Sequence, residues 1–386
     1  MIERIESIWT VHRNLVVAIS AIAIVAVVGT GLLISLAPGR SSPESSPSPS
    51  ASPSLVASDS STPSATVSPL PSMETGPTAL PSGWAYADLD GVAAPSDLAN
   101  RLPIAVMVDD NTVARPQSGF SAASVVYQAP ADGGEDRYML VFQEGTASDI
   151  GPVRSARPYY VYWAAEYKAG FGHYGGDITS LQQVIPAMAK YIYNMDALNG
   201  DACPYHRVST RAAPHNAYTN SAVLISCAAK IGQPAKYQGL PVRTFVDDSP
   251  VADRGTQEHV AIPYRTGSVG YEFDPQTDSY LRSVDGKLQT DPANNQQVVA
   301  RNVIVLFQAL TYDSASDPGH NRPVIASVGT GKALVFKEGH AIVATWKKPS
   351  TNALTRLYDS SGAEIPLVRG EIFIQCVPTG TSVTYN

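Results

Sequence analysis

Charge is scarce in this chain. Of 386 residues only 16 % are charged, and the balance is −7. No long basic run is present, which argues against a nucleic-acid partner. Cysteine is nearly missing: Cys203, Cys227 and Cys376 are the three. None lies near the N-terminus, which excludes a lipid attached to an N-terminal cysteine. No His pair has helical zinc-ligand spacing, and no carboxylate stands in a ligand pattern, so no metal is expected. There is no G-x-S-x-G elbow for a serine nucleophile. The glycines of "GFGHYGG" are not a dinucleotide fingerprint, and no cofactor is expected. No internal repeat is evident.

Long apolar runs are also rare, with one exception. Residues 15–37, "LVVAISAIAIVAVVGTGLLISLA", carry no charge over 23 positions. As a helix they would extend roughly 35 Å, enough to cross a hydrocarbon core of about 30 Å. A signal-peptide core is shorter, about 7–15 residues, so the spacing favours a transmembrane anchor over a cleaved leader. The expected orientation leaves a cytoplasmic tail at 1–14 and the bulk of the chain outside the membrane. Residues 38–83 read as a disordered linker. Within 41–82, 28 of 42 residues are Ser, Thr or Pro and only Glu44, Asp59 and Glu74 are charged. Such a segment cannot bury enough apolar surface to offset its ordering entropy.

From Trp84 onward the texture is that of a packed protein. "IAVMVDD" (104–110) predicts a buried strand ending in two aspartates. "SVVYQAP" and "DRYMLVFQE" flank "ADGG" and predict a hairpin. Pro158 opens a helix that runs to about Lys168. "AGFGHY" predicts a strand, Thr179 or Ser180 a helix cap, and Asn220 or Ser221 the start of a helix stopped by Gly232 and Pro234. Beyond about 246 the runs are β-type, punctuated by Gly, Asp and Pro. The expected class is α+β: an α/β domain at 84–245 and a β-rich domain at 246–386. An exported location permits a Cys203–Cys227 disulfide. Cys376 lies in an apolar strand and reads as a buried thiol.

The stretch "GPVRSARPYY" places Arg154 and Arg157 immediately before a helix. Helix starts carry unpaired N–H groups and partial positive charge, so cations there are mildly unfavourable. An anion would complete the arrangement; an internal acid such as Asp149 or Glu166 would also do so. His173 sits at an expected strand end, where open α/β sheets bind ligands. "YHRVSTRAAPHN" (205–216) adds His206, Arg207, Arg211, His215 and Asn216. Asp109 and Asp110 read as turn caps or a general base.

"IAVMVDD", "ARPQSGFSAASVVYQAP", "DIGPVRSARPYYVYWAAEY", "HYGG" and "RAAPHNAYT" resemble the YerB-like lipoprotein family. So do "YEFDPQTDSYLRSVDGK", "NVIVLF" and "GTGKALVFKEGHAIVATWKK" further on. The resemblance implies a bacterial envelope protein with an N-terminal domain of unknown function and a separate C-terminal one. It supplies no activity. The family's polar motif positions fall on Arg115, Arg154, Ser155, Arg157, His173, Arg211, His215 and Asn216. This chain differs in carrying a membrane span where many relatives carry a lipid-attachment cysteine. It also has Asp177 where relatives often have Ser, and Asp177 is a candidate internal partner for an arginine.

The expectation is a membrane-tethered extracytoplasmic protein holding an anionic cell-envelope ligand among those residues. Two alternatives stand beside it. One is an envelope hydrolase or transferase with His173 or His215 as general acid/base. The other is a non-catalytic scaffold for a protein partner of unknown kind.

Overall fold

The computed structural model describes residues 79–198, 203–236, 240, 242–316 and 319–386. The 1–14 tail, the 15–37 span and all but the end of the 38–83 linker lie outside these. Among the described residues no helix is long and apolar enough to cross a membrane.

The architecture is a β-rich α+β fold. The strands of its two larger sheets are β1 (Ile104–Asp109), β2 (Val125–Pro130), β3 (Asp136–Phe142), β4 (Gly170–His173), β5 (Tyr193–Asp196), β6 (His259–Tyr264), β7 (Gly267–Asp274), β8 (Ser279–Val284) and β9 (Lys287–Leu288). These are followed by β10 (Val299–Ala300), β11 (Asn302–Gln308), β12 (Gly329–Lys337), β13 (His340–Lys348), β14 (Arg356–Tyr358), β15 (Ile372–Pro378) and β16 (Thr384–Tyr385). The main helices are α1 (Pro158–Glu166) and α2 (Ser221–Lys230).

Ten strands form one sheet in the order β14-β13-β12-β11-β15-β2-β3-β1-β4-β5. The sheet therefore runs through both sides of residue 246. The join is parallel: β15 pairs with β11 on one side and with β2 on the other, Ile372 opposite Asn302 and Val125. A smaller sheet, β9-β8-β7-β6-β16 with β10 added to β8, packs on one face.

The period of two decides which core each residue joins. Along β1, Ala105 and Met107 enter the core under α1, with Tyr127, Met139, Trp163, Ile304 and Ile374. Ile104, Val106 and Val108 enter the opposite core, with Tyr138, Leu140, Tyr271, Tyr280 and Phe373. Both faces are covered, so β1 reads as a continuous apolar run and not as an alternation. α1 begins with Pro158 at its first position and Arg157 as the capping residue. It buries Trp163, whose ring stacks on Tyr127 at 5.0 Å. At its last residue Glu166 meets Lys348 of β13 at 2.8 Å, both side chains fully buried.

One local expectation needs adjustment. The segment after Gly176 is a turn of π-helix (Ser180–Val184) running into a short α-turn (Ile185–Ala187). Its start is bound by neither Thr179 nor Ser180 as cap: the Asp177 carboxylate accepts from the Ser180 N–H and Oγ. Asn220 does cap α2, accepting from the Val223 N–H at 2.9 Å. Cys203 and Cys227 form a disulfide, and Cys376 is a buried free thiol whose ionisation burial opposes.

Candidate functional site

The two aspartates that end the first strand organise the site. Asp109 and Asp110 are both completely buried. Strand geometry sends them to opposite sides, and each collects cations from a different part of the chain.

Asp109 holds the first group. Its Oδ2 lies 3.1 Å from Arg154 Nε and 2.6 Å from His215 Nδ1. Arg154 is positioned by the bridge that lays Val153 against Val108, with the Arg154 N–H donating to Met107 O. Burial weakens the Arg154 guanidinium's hold on its proton, and Asp109 opposes that effect. His215 comes from the loop before the short strand Ala217–Tyr218. No protein group contacts its Nε2 among the described residues. Asn216 shapes that loop: its amide donates to Val208 O and Arg211 O and accepts from Arg207 Nη1. Arg207 also lies over the Tyr174 ring at 4.6 Å. Arg211 donates to the carbonyls of Ala114 and Pro116. Neither Arg207 nor Arg211 has a carboxylate partner among the described residues. Arg154 and His215 thus share Asp109, and Asn216 ties Arg207 and Arg211 to the His215 loop.

Asp110 holds the second group. It accepts from Arg115 Nε at 3.0 Å, from Gln117, and from Gln128 at 3.1 Å. Arg115 reaches on toward Asp285, with Nη1 3.5 Å from its carboxylate. Burial raises the Asp110 pKa, and the Arg115 and Arg282 charges resist that rise. Thr266 Oγ1 donates to Asp136 and lies 3.5 Å from Asp110 Oδ2, joining two buried carboxylates. Burial pushes Asp136 up to about 7; the Thr266 hydrogen bond restrains the shift and Asp110 adds to it. Arg115 also lines a hollow of about 700 Å³ between 112–117 and 284–295.

The remaining positions are not brought to either group. Arg157 is buried between Asp132 and Asp177, the latter at 3.6 Å. Asp132 also takes Arg322 at 2.7 Å and lies 3.8 Å from Arg137. The internal partners of the helix-start arginines are therefore Asp109, Asp132 and Asp177. Neither Asp149 nor Glu166 plays that part; Glu166 is engaged by Lys348 and Thr355. Ser155 gives its carbonyl to Arg137. His173 is completely buried, with Nδ1 2.7 Å from Gly175 O and Nε2 2.7 Å from Asn194 Oδ1. Both ring nitrogens are used, which leaves it no proton-transfer partner in solvent. No group of three or more His, Cys, Asp or Glu side chains could hold a metal among the described residues. Lys287, Asp285 and Asp132 had no place in the sequence-based site. The Asp285-Gly286 turn was the available signal for the first two.

Two models of one family match successive parts of the chain. Residues 89–234 match the family described as "Protein of unknown function (DUF3048) N-terminal domain". Residues 260–374 match its C-terminal domain. The chain belongs to the YerB-like family. It is 29 % identical over 296 residues to "Putative lipoprotein YerB" of Bacillus subtilis strain 168, covering 76 % of this chain and 86 % of that one. The crystal structure of the Bacillus subtilis YerB protein superposes with a TM-score of 0.69 at 26 % identity, over 78 % of this chain and 99 % of that one.

Proposed function

We propose that this is a membrane-tethered, extracytoplasmic binding protein that holds an anionic cell-envelope ligand at the Asp109 rim. The tether would be the single span at 15–37, and the lipoprotein name of the Bacillus relative supports an envelope location. The observation that carries the reading is the charge surplus: Arg154 and His215 share Asp109, while Arg207 and Arg211, tied through Asn216 to the His215 loop, have no carboxylate partner among the described residues. Guanidinium groups fixed by neutral partners keep their charge for a phosphate or carboxylate. Asn216 and the Ala114 and Pro116 carbonyls serve as those neutral partners, so the cations are pre-positioned.

The test is binding of the full-length chain to polyglycerol phosphate and polyglutamate, with dextran as neutral control. Anionic chains are expected to bind, more weakly as salt rises. Arg207→Gln with Arg211→Gln is expected to lose tenfold or more, about 1.4 kcal/mol, without loss of thermal stability. Unchanged binding by that folded variant overturns the reading.

A hydrolase or transferase reading has one observation in its favour. Asp109 orients His215 through Nδ1 and leaves Nε2 open, the arrangement a general base needs. New products from the same polymers, lost in His215→Ala, would establish it in place of simple binding.

A further inference from the structure

We propose that the hollow between 112–117 and 284–295 is a second binding site, separate from the Asp109 rim, and that it takes a short zwitterionic peptide. Its volume of about 700 Å³ lies within the usual range for ligand sites, about 300–1,000 Å³. One wall comes from the first matched family domain and the other from the second.

The charges on the lining are mixed. Arg115 is committed to Asp110 and shares only a 3.5 Å contact with Asp285. Asp285 is about half exposed, at 55 %, and accepts one backbone N–H from Ser268. It keeps acceptor capacity for an ammonium group. Lys287, two residues on, is exposed, and its side chain makes no ion pair or hydrogen bond among the described residues. It is available to a carboxylate. Asp285 adopts a left-handed φ of 51° and Gly286 one of 72°, so the pair forms the tight turn between β8 and β9. That turn sets the acid and the lysine two residues apart on one wall.

A polyanion would meet Asp285, and a polycation would meet Arg115 and Lys287. A molecule with one charge of each sign satisfies both. The rest of the lining suits a peptide. Thr112, Gln289, Thr290 and Asn295 offer neutral donors and acceptors, while Pro116 and Leu288 offer small apolar contacts. No aromatic ring lines the hollow, so the stacking that sugars and bases use has no platform.

The experiment is calorimetric titration of the full-length chain in detergent micelles with tri-alanine, tri-alanine amide and N-acetyl tri-alanine. Tri-alanine is expected to bind with Kd near or below about 1 mM. The amide and the acetylated form are each expected to bind about tenfold more weakly. Lys287→Gln should erase the preference for the free carboxylate. Asp285→Asn should erase the preference for the free amine, and asparagine tolerates the same left-handed turn. Arg207→Gln, at a rim residue whose contacts are Asn216 and the Tyr174 ring, should leave tri-alanine binding unchanged, which separates this site from the rim. No saturable tri-alanine binding, equal binding of the blocked peptides, or full selectivity in Lys287→Gln overturns the proposal. Loss of binding in the rim variant overturns the claim of separate sites.

Discussion

Asp109 and Asp110 are adjacent in the chain yet serve opposite faces of one sheet. Asp109 touches Arg154 and His215, while Asp110 touches Arg115 and Gln128. Each aspartate has exchanged water for cationic or amide donors, so each is a buried charge that depends on its partners. The two should therefore respond differently to the same Asp→Asn change.

Asp109→Asn leaves Arg154 and His215 facing a neutral amide. The expected cost is about 3 kcal/mol, read by urea unfolding. Arg154→Met in the same chain should recover part of it, because the guanidinium without an acid partner is then gone. Additive losses in the double variant would show that the two side chains are not coupled.

Asp136 gives the pH dependence. Its folded pKa, about 7, lies above the ordinary value of 3.8. The folded state then binds more protons than the unfolded state between those values. The group's stabilising contribution is complete below about pH 4 and is lost as pH rises toward and through 7. The slope from this group approaches about 1.4 kcal/mol per pH unit within that window. Asp136→Asn removes this slope. Denaturant midpoints from pH 4 to 8 should converge on a flatter profile in the variant, with the variant relatively more stable at pH 8.

Glu166 and Lys348 are both fully buried and 2.8 Å apart. Glu166→Ala strands the lysine in the core and is expected to cost about 3–5 kcal/mol. Replacing the pair together, Glu166→Leu with Lys348→Met, should cost much less. Equal losses in the single and double variants would mean that the pair contributes through packing alone.

The Cys203–Cys227 bond closes a separation of 24 residues. Cys203→Ser with Cys227→Ser is expected to lower stability by about 3 kcal/mol. The bond ties the segment after β5 to α2, so amide exchange should rise first around 203–218.

Local structure was legible wherever the signal was local. β1, the β2–β3 hairpin, α1 with Pro158 in its first turn, β4, and α2 with its Asn220 cap all follow from periodicity and capping chemistry. The Asp177 cap was missed because a carboxylate three residues upstream competes with the more usual Thr or Ser. The site was half legible. Arg154 and His215 meet at Asp109 and Asn216 holds the His215 loop, while Arg211 reaches Ala114 and Pro116, Arg157 and His173 are buried elsewhere, and Arg115 lines the hollow. Sequence could not show this, because the deciding partners are remote: Asp109 to His215 spans 106 positions and Arg115 to Asp285 spans 170. The strand pairing that places β15 beside β2 is equally remote, since nothing in "EIFIQCVP" names Val125 as its neighbour.

That parallel insertion has a consequence for how the chain is made. β15 occupies the interior of the ten-stranded sheet and is made after both of the strands it separates. Until it arrives, β2 and β11 each present a bare edge with unsatisfied backbone groups. The nascent protein is thus most vulnerable to proteases and self-association until β15 docks, and closure of the sheet waits on that strand.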